Sequence, residues 1–283
     1  TKSVSEIKDS TRIETVLLSG KSKKRVKKEV NPAYQVLLKV WAHKDENKKI
    51  NNPFYEYNEY SSIEIGLNGM TRKFTEDIFK EKTDSVINEN ILTGSGDRFD
   101  IPVELLQTFN HHYVSPKFNL QKRKILARKD IGVPQDLKLF ERLEVAFKNV
   151  NPYEENIVLL NKNFVSPLSK EGFGTYDYVL KDSTVVDNEK IYTILYFPRE
   201  SRELGFRGSF KISSINYALV SIELIAPHNM NLNFVKDLNF SKTYTLNDQK
   251  IYIPESNNYS GVFTILTKKD ERGLYVIKKD FFI

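Results

Sequence analysis

Four histidines, a scatter of carboxylates and one dense run of lysines are the residues here that could carry chemistry. His43 and Glu46, in "HKDE", stand at the H-x-x-E spacing with which some zinc sites take two ligands from one helix. They fall on the polar face or fraying end of a predicted helix with no third ligand in view, so the spacing reads as coincidence. His111 and His112 are adjacent; on a strand they would point to opposite faces and could not chelate together. His228 sits in "APHNMN", and the four histidines share no second ligand cluster.

Asp177, Asp182 and Asp187 recur around one predicted hairpin. A pair of carboxylates could work there as general acid and base, but acidic turns and solvated strand faces call for the same residues. "KEGFGTY" has glycines but lacks the following helix and the lysine-serine end of a phosphate loop. No G-x-S-x-G elbow occurs. The absence of cysteine excludes disulfides, thiolate zinc sites and cysteine nucleophiles. The residues therefore predict no catalytic site, no metal site and no cofactor. The alternative is an envelope hydrolase with an unrecognised carboxylate site around Asp177 and Asp182.

The formal net charge is +6, and Lys21, Lys23, Lys24, Arg25, Lys27 and Lys28 of "KSKKRVKK" account for all of it. The rest is a neutral body with one basic tether, not the broadly basic surface of a nucleic-acid binder. A solvated linker is the reading adopted for the run; phosphates of nucleic acid or of lipid headgroups are the alternative. No run of ~18 apolar residues is present, so no helix spans a bilayer. Starting at Thr1 and ending on "KKDFFI", the chain reads as a piece of something longer.

The elements that would position these residues divide into two textures. "TRIETVLLSG" suits a strand closing a preceding unit. In "NPAYQVLLKVWAHKDENKK", Asn31 can cap a helix and Pro32 fits its first turn. Ala33, Val36, Leu37, Val40 and Trp41 then make one apolar stripe. "YEYNEYSSIEIGLNG" alternates as a strand up to a turn at Asn68-Gly69. A helix is predicted from Thr71 to Leu92, and short helices from Pro102 to Val133. "VPQDLKLFERLEVAFKNV" is a further capped helix with Leu137, Phe140, Leu143, Phe147 and Val150 inward.

From Asn151 the texture turns to strands: Thr175 to Lys181, Lys190 to Phe197, Phe206 to Ile212, Ala218 to Leu224, Asp237 to Leu246, Lys250 to Pro254, Gly261 to Lys268 and Leu274 to Lys279. The second of these is apolar on both faces and is expected to be covered on both. In "FRGSFKISSINYALVSIEL", Phe206, Phe210, Ile212, Val220 and Ile222 are predicted to face inward, and Arg207, Lys211 and Glu223 to face water. Gly208 removes a side chain from the apolar face, for sharp curvature or for close approach of a covering helix. The fold class expected is α+β, a curved antiparallel sheet forming a half-barrel covered by several helices. Residues 1–30 are the end of a preceding β domain plus the basic linker. Residues 31–283 form one domain, helix-rich over 31–150 and strand-rich over 151–283. Tyr176, Tyr178, Phe206, Gly208, Phe210 and Ile212 are the candidate ligand or partner surface.

"NPAYQVLLKVW", "YEYNEYSSIEIGLN", "NVNPYEENIVLLNKNFVSPLS", "YDYVLKDSTVVDNEKIYTILYFPR" and "NLNFVKDLNF" occur in the order that resembles one Bacteroidota family, catalogued as domain of unknown function 5686. The resemblance runs from about Asn31 to the end. It implies a preceding carboxypeptidase-regulatory-like domain, a following outer-membrane β-barrel and a periplasmic location, and it supplies no catalytic residues. In shape, the strand pattern is similar to the half-closed barrels of periplasmic lipoprotein carriers, which hold acyl chains in their concavity. Together these imply a non-enzymatic periplasmic module of an outer-membrane protein. Its partner would be the barrel portion of the same protein, another envelope protein or a lipid, and not nucleic acid.

Overall fold

A computed structural model describes residues 30–48, 54–79, 98–132, 150–159, 162–186, 188–200, 204–226, 232, 235–264 and 272–283. The basic run, the 134–150 helix up to residue 149, most of the stretch Thr71 to Leu92, Asp187 and His228 lie outside the described residues.

Helix α1 (Pro32–Lys48) begins as its sequence dictates. The Asn31 side chain accepts the Ala33 N–H at 2.9 Å, and its amide donates to the Tyr178 carbonyl at 3.1 Å, so one residue caps the helix and ties it to the sheet. Ala33, Val36, Leu37 and Val40 are buried. Trp41 packs at the edge of this stripe and donates its indole N–H to the Leu168 carbonyl.

Ten strands form one open antiparallel sheet. In chain order they are β1 (Tyr55–Thr71), β2 (Arg98–Ser115), β3 (Leu120–Gly132), β6 (Tyr176–Val186), β7 (Glu189–Pro198), β8 (Arg207–Ser213), β9 (Leu219–Ile225), β10 (Val235–Leu246), β11 (Tyr252–Thr264) and β12 (Gly273–Phe282). Their spatial order is β3-β2-β1-β12-β11-β10-β9-β8-β7-β6, so β1 closes against β12 and the two textures of the sequence share one sheet. A two-stranded ribbon, β4 (Asn156–Leu159) with β5 (Lys162–Val165), lies apart from it. Two short helices, α2 (Arg72–Phe79) and α3 (Gly172–Thr175), complete the regular structure, which among the described residues is mostly sheet with few helices.

The core occupies one face of β6 to β10. There Tyr176, Tyr196, Phe206, Phe210, Ile194 and Leu238 are fully buried, and α1, α3 and the β4–β5 ribbon fill the space above them. Phe164 of the ribbon stacks on Phe206 at 4.8 Å, and Phe173 of α3 stacks on Tyr178 at 5.8 Å. The phenols of Tyr176 and Tyr178 donate to the Val165 and Pro167 carbonyls, so the covering layer is hydrogen-bonded as well as packed.

Several expectations are corrected. The stretch Pro102 to Val133, described as far as Gly132, is over that length not a set of short helices. It is most of the long β2–β3 hairpin, reversed by a 3-10 turn at Pro116–Phe118 with Asn119 left-handed at φ 49°. The apolar alternation that would announce these strands is missing for a physical reason: β2 buries Glu104, Asn110 and His112, and every residue of β3 is exposed. Residues 31–150 are accordingly not helix-rich where they are described. Asn68-Gly69 does not end a strand; with Gly69 at φ 70° and both residues bonded to the Asp100 carboxylate, it makes an irregularity inside β1. Of the stretches Lys250 to Pro254 and Gly261 to Lys268, the parts Tyr252 to Pro254 and Gly261 to Thr264 belong to the single strand β11. Strand β7 is fully covered on one face, at Ile194 and Tyr196, and only in part on the other, where Ile191 is buried but Leu195 and Phe197 are partly exposed. A bulge between Lys211 and Ile212 changes the pairing of β8 with β9, so Leu219, not Val220, is buried.

Candidate ligand site on the inner face of the sheet

Cross-strand partners share a face, so the register lets the inner face be read as rows. One row runs Ser61, Asp280, Asn257, Lys242, Ile222, Phe210, Ile194 across β1, β12, β11, β10, β9, β8 and β7. The adjacent row runs Ile63, Lys278, Tyr259, Phe240, Leu224, Gly208, Tyr196, Tyr178. Each row is apolar or aromatic over β6 to β9 and gains charge towards β12. The inner face thus has a filled apolar half and a polar half.

The sequence-predicted surface lies in the filled half. Tyr176, Tyr178, Phe206, Phe210 and Ile212 are core residues beneath α1, α3 and the β4–β5 ribbon, with exposures of 0–4%. Their concavity is occupied by the chain's own side chains. Gly208 admits no helix. A Cβ there would stand 2.1 Å from the Glu223 carbonyl oxygen and 3.0 Å from the Tyr196 hydroxyl, and that hydroxyl donates to the same carbonyl. The missing side chain makes room for the phenol of the neighbouring strand.

The polar half is built from paired charges. Lys278 and Asp280 form a buried ion pair, Ser61 donates to Asp280 at 2.7 Å, and the Lys278 ammonium lies 5.4 Å from the centre of the Tyr259 ring. Glu59 accepts from His112 Nε2 at 2.8 Å and from the Asn110 amide at 3.2 Å. Burial pushes the Glu59 carboxyl up, but the His112 and Asn110 bonds and the nearby Lys278 together outweigh it and hold the group below the ordinary glutamate value. Tyr57 stacks on His112 with ring centres 4.6 Å apart, and burial pushes its phenol up to about 12. Asn110 Oδ1 and His112 Nδ1 are buried with no hydrogen-bond partner among the described residues.

Lys242 stands apart from this pairing. On β10 it follows Leu238 and Phe240 and precedes Tyr244 at two-residue spacing, one cation in an apolar and aromatic stripe. It forms no ion pair or hydrogen bond among the described residues, and burial lowers its ammonium to about 8, with Asp280 opposing and Lys278 adding to the shift. A cavity of about 440 Å³ opens beside it, lined among others by Tyr57 of β1, Tyr244 of β10, Ile251, Ile253 of β11 and Phe282 of β12. Lys242 is not among the residues of the sequence-predicted surface, although the period-two signal is present in "LNFSKTY".

The other chemistry-bearing residues do not converge on this cavity. Asp177 and Asp182 are exposed on edge strand β6, and Asp177 pairs with Arg199 at 3.1 Å. His43 bonds the Lys39 carbonyl within its own helix. His111 faces the opposite side of the sheet from His112, bonded to Asn58 and Glu56. Among the described residues no group of three histidines or carboxylates is placed to hold a metal ion, and no helix is long and apolar enough to cross a membrane.

Residues 37–277 match the profile of the family of unknown function DUF5686. The chain belongs to that family. None of the curated proteins matches it. Among solved structures, similar ones include a DUF1329 family protein from Desulfovibrio piger, at 10% identity over 88% of this chain and 91% of that one, with a TM-score of 0.29. Another is an outer membrane lipoprotein-sorting protein domain from Vibrio parahaemolyticus, described as putative, at 8% identity, 88% and 93% coverage and a TM-score of 0.29. A third is a LolA superfamily protein from Nitrosomonas europaea at 10% identity, 85% and 90% coverage and a TM-score of 0.26. Likenesses this distant decide neither the fold nor the function of this family member.

Proposed function

We propose that this chain is a non-enzymatic binding module that holds a lipid-like ligand in the inner-face cavity. It would act in the periplasm, as part of an outer-membrane protein of Bacteroidota in which a carboxypeptidase-regulatory-like domain precedes it. The membrane β-barrel of the same protein is its natural neighbour and partner. The observation that carries this reading is the cavity of about 440 Å³, lined by tyrosines, isoleucines and Phe282, at an end of the inner face that the described residues do not fill. Its size lies within the ~300–1,000 Å³ usual for small-molecule sites, and an apolar lining with few polar groups is the usual composition. Family membership sets the context through the resemblance already described.

Titration with a fluorescent long-chain fatty acid tests the proposal. Emission should rise and saturate at one probe per chain, and Asn257→Trp, which places a large side chain in the cavity wall, should abolish the rise while leaving the circular dichroism unchanged. Absence of a saturable rise, or a rise indifferent to Asn257→Trp, would refute the reading.

A further inference from the structure

Among the described residues, two charged groups of the inner face lack a counter-charge: Glu104 of β2, which is buried and does not line the cavity, and Lys242, which does. Asp280 is taken by Lys278 and Ser61, and Glu59 by His112 and Asn110. Glu56, which also lines the cavity, is more than half exposed and bonded to His111. Lys242 is left half-buried, beside a cavity, without an anion bonded to it among the described residues. A cation drawn out of water is disfavoured unless something compensates it, and an aromatic stripe offers no full counter-charge. Around it stand Tyr244 on its own strand, Tyr57 on β1 and Phe282 on β12, surfaces suited to hydrocarbon.

We propose that the cavity takes an amphiphile with an anionic head, a carboxylate or a phosphate, paired with the Lys242 ammonium, and a hydrocarbon tail lying against Tyr244, Ile251, Ile253 and Phe282. This deepens the function proposed above and rests on it. The ammonium, lowered to about 8 by burial, is charged at neutral pH and loses its proton just above it; the Asp280 and Lys278 ion pair lies next to it on β12. Head-group binding should therefore weaken as pH rises through about 8. Tyr57 and Tyr244, whose phenols burial pushes up, stay neutral across that range and add no charge of their own.

The test measures binding of radiolabelled palmitate, a lysophosphatidic acid and hexadecanol to the 283-residue chain and to Lys242→Met and Lys242→Arg. Lys242→Met should weaken palmitate or lysophosphatidate binding by about tenfold or more, the usual worth of a hydrogen bond to a charged group, and leave hexadecanol within about twofold. Lys242→Arg should retain the acids, and the loss of acid binding above about pH 8 should be present in the natural chain and absent from Lys242→Met. Preference for one acid tells a free carboxylate from a lipid phosphate, and either supports the inference. Equal binding of acids by the natural chain and Lys242→Met overturns it but leaves the proposed function standing when hexadecanol binds. If none of the three probes binds the natural chain, both fall.

Discussion

Phe240 and Lys242 stand two residues apart on the same face of β10, and the fold treats them oppositely. Phe240 is buried at the boundary of the core, edge-on to Tyr259 at 5.4 Å, whereas Lys242 has no partner among the described residues and stands next to a cavity. A lysine serving the fold alone would be better replaced by an apolar residue. Lys242→Met should therefore stabilise the unliganded protein near neutral pH, since a drop from the ordinary 10.5 to about 8 corresponds to roughly 3 kcal/mol. The sign follows from proton binding: between about 8 and 10.5 the unfolded chain holds the Lys242 proton and the folded one has released it, so stability of the natural protein rises with pH across that window. Urea unfolding from pH 7 to 10.5 should show that rise, and Lys242→Met should lack it. Gly208 is the converse case, a residue required by the fold. Gly208→Ala puts a methyl 2.1 Å from the Glu223 carbonyl oxygen, and thermal unfolding should report a loss of at least about 2 kcal/mol, as for other overpacked sites.

The elements differ in how much of them the rest of the chain holds. Strands β8 and β9 carry Phe210, Ile212, Leu219 and Ile222 in the packed core, while β3 is exposed along its whole length at the sheet edge. Amide hydrogen exchange should find β3 among the first strands to exchange and β8 among the last; equal protection would mean that β3 is covered by something not yet seen. The same contrast explains what the sequence could disclose. Helix α1 was legible because Asn31, Pro32 and the stripe from Ala33 to Trp41 all point one way. The hairpins of the second half were legible because Tyr176 and Tyr178, or Phe210 and Ile212, alternate against charged neighbours. The β2–β3 hairpin was not, because its inner face buries Asn110 and His112, and its edge strand has no buried side to mark. The bulge that replaces Val220 by Leu219 was equally hidden, since both residues are apolar and only the register decides between them. The candidate surface at Tyr176, Phe206 and Phe210 failed as an open site for a related reason: alternation tells that a face is apolar, not whether a helix and a ribbon already fill it.

At the scale of the whole molecule, the sheet is continuous because β1 pairs with β12, which brings Tyr57, Glu59 and Ser61 beside Asp280 and Phe282 from the other end of the chain. Neither texture of the sequence could form the cavity alone. Tyr57 comes from one, while Lys242, Tyr244, Ile253 and Phe282 come from the other. Among the described residues, the sheet is open at β3 and β6, and α1 and the ribbon cover only its apolar half. The account therefore places ligand binding at the uncovered end and treats the aromatic half as structure. The central claim is that the cavity holds an amphiphile. Native mass spectrometry of the chain purified without detergent from a bacterial periplasm tests this most directly. The account predicts a protein–lipid complex of single stoichiometry whose ligand carries an acidic head, retained by the natural chain and lost from Asn257→Trp; a bare mass that stays bare after incubation with palmitate would contradict it.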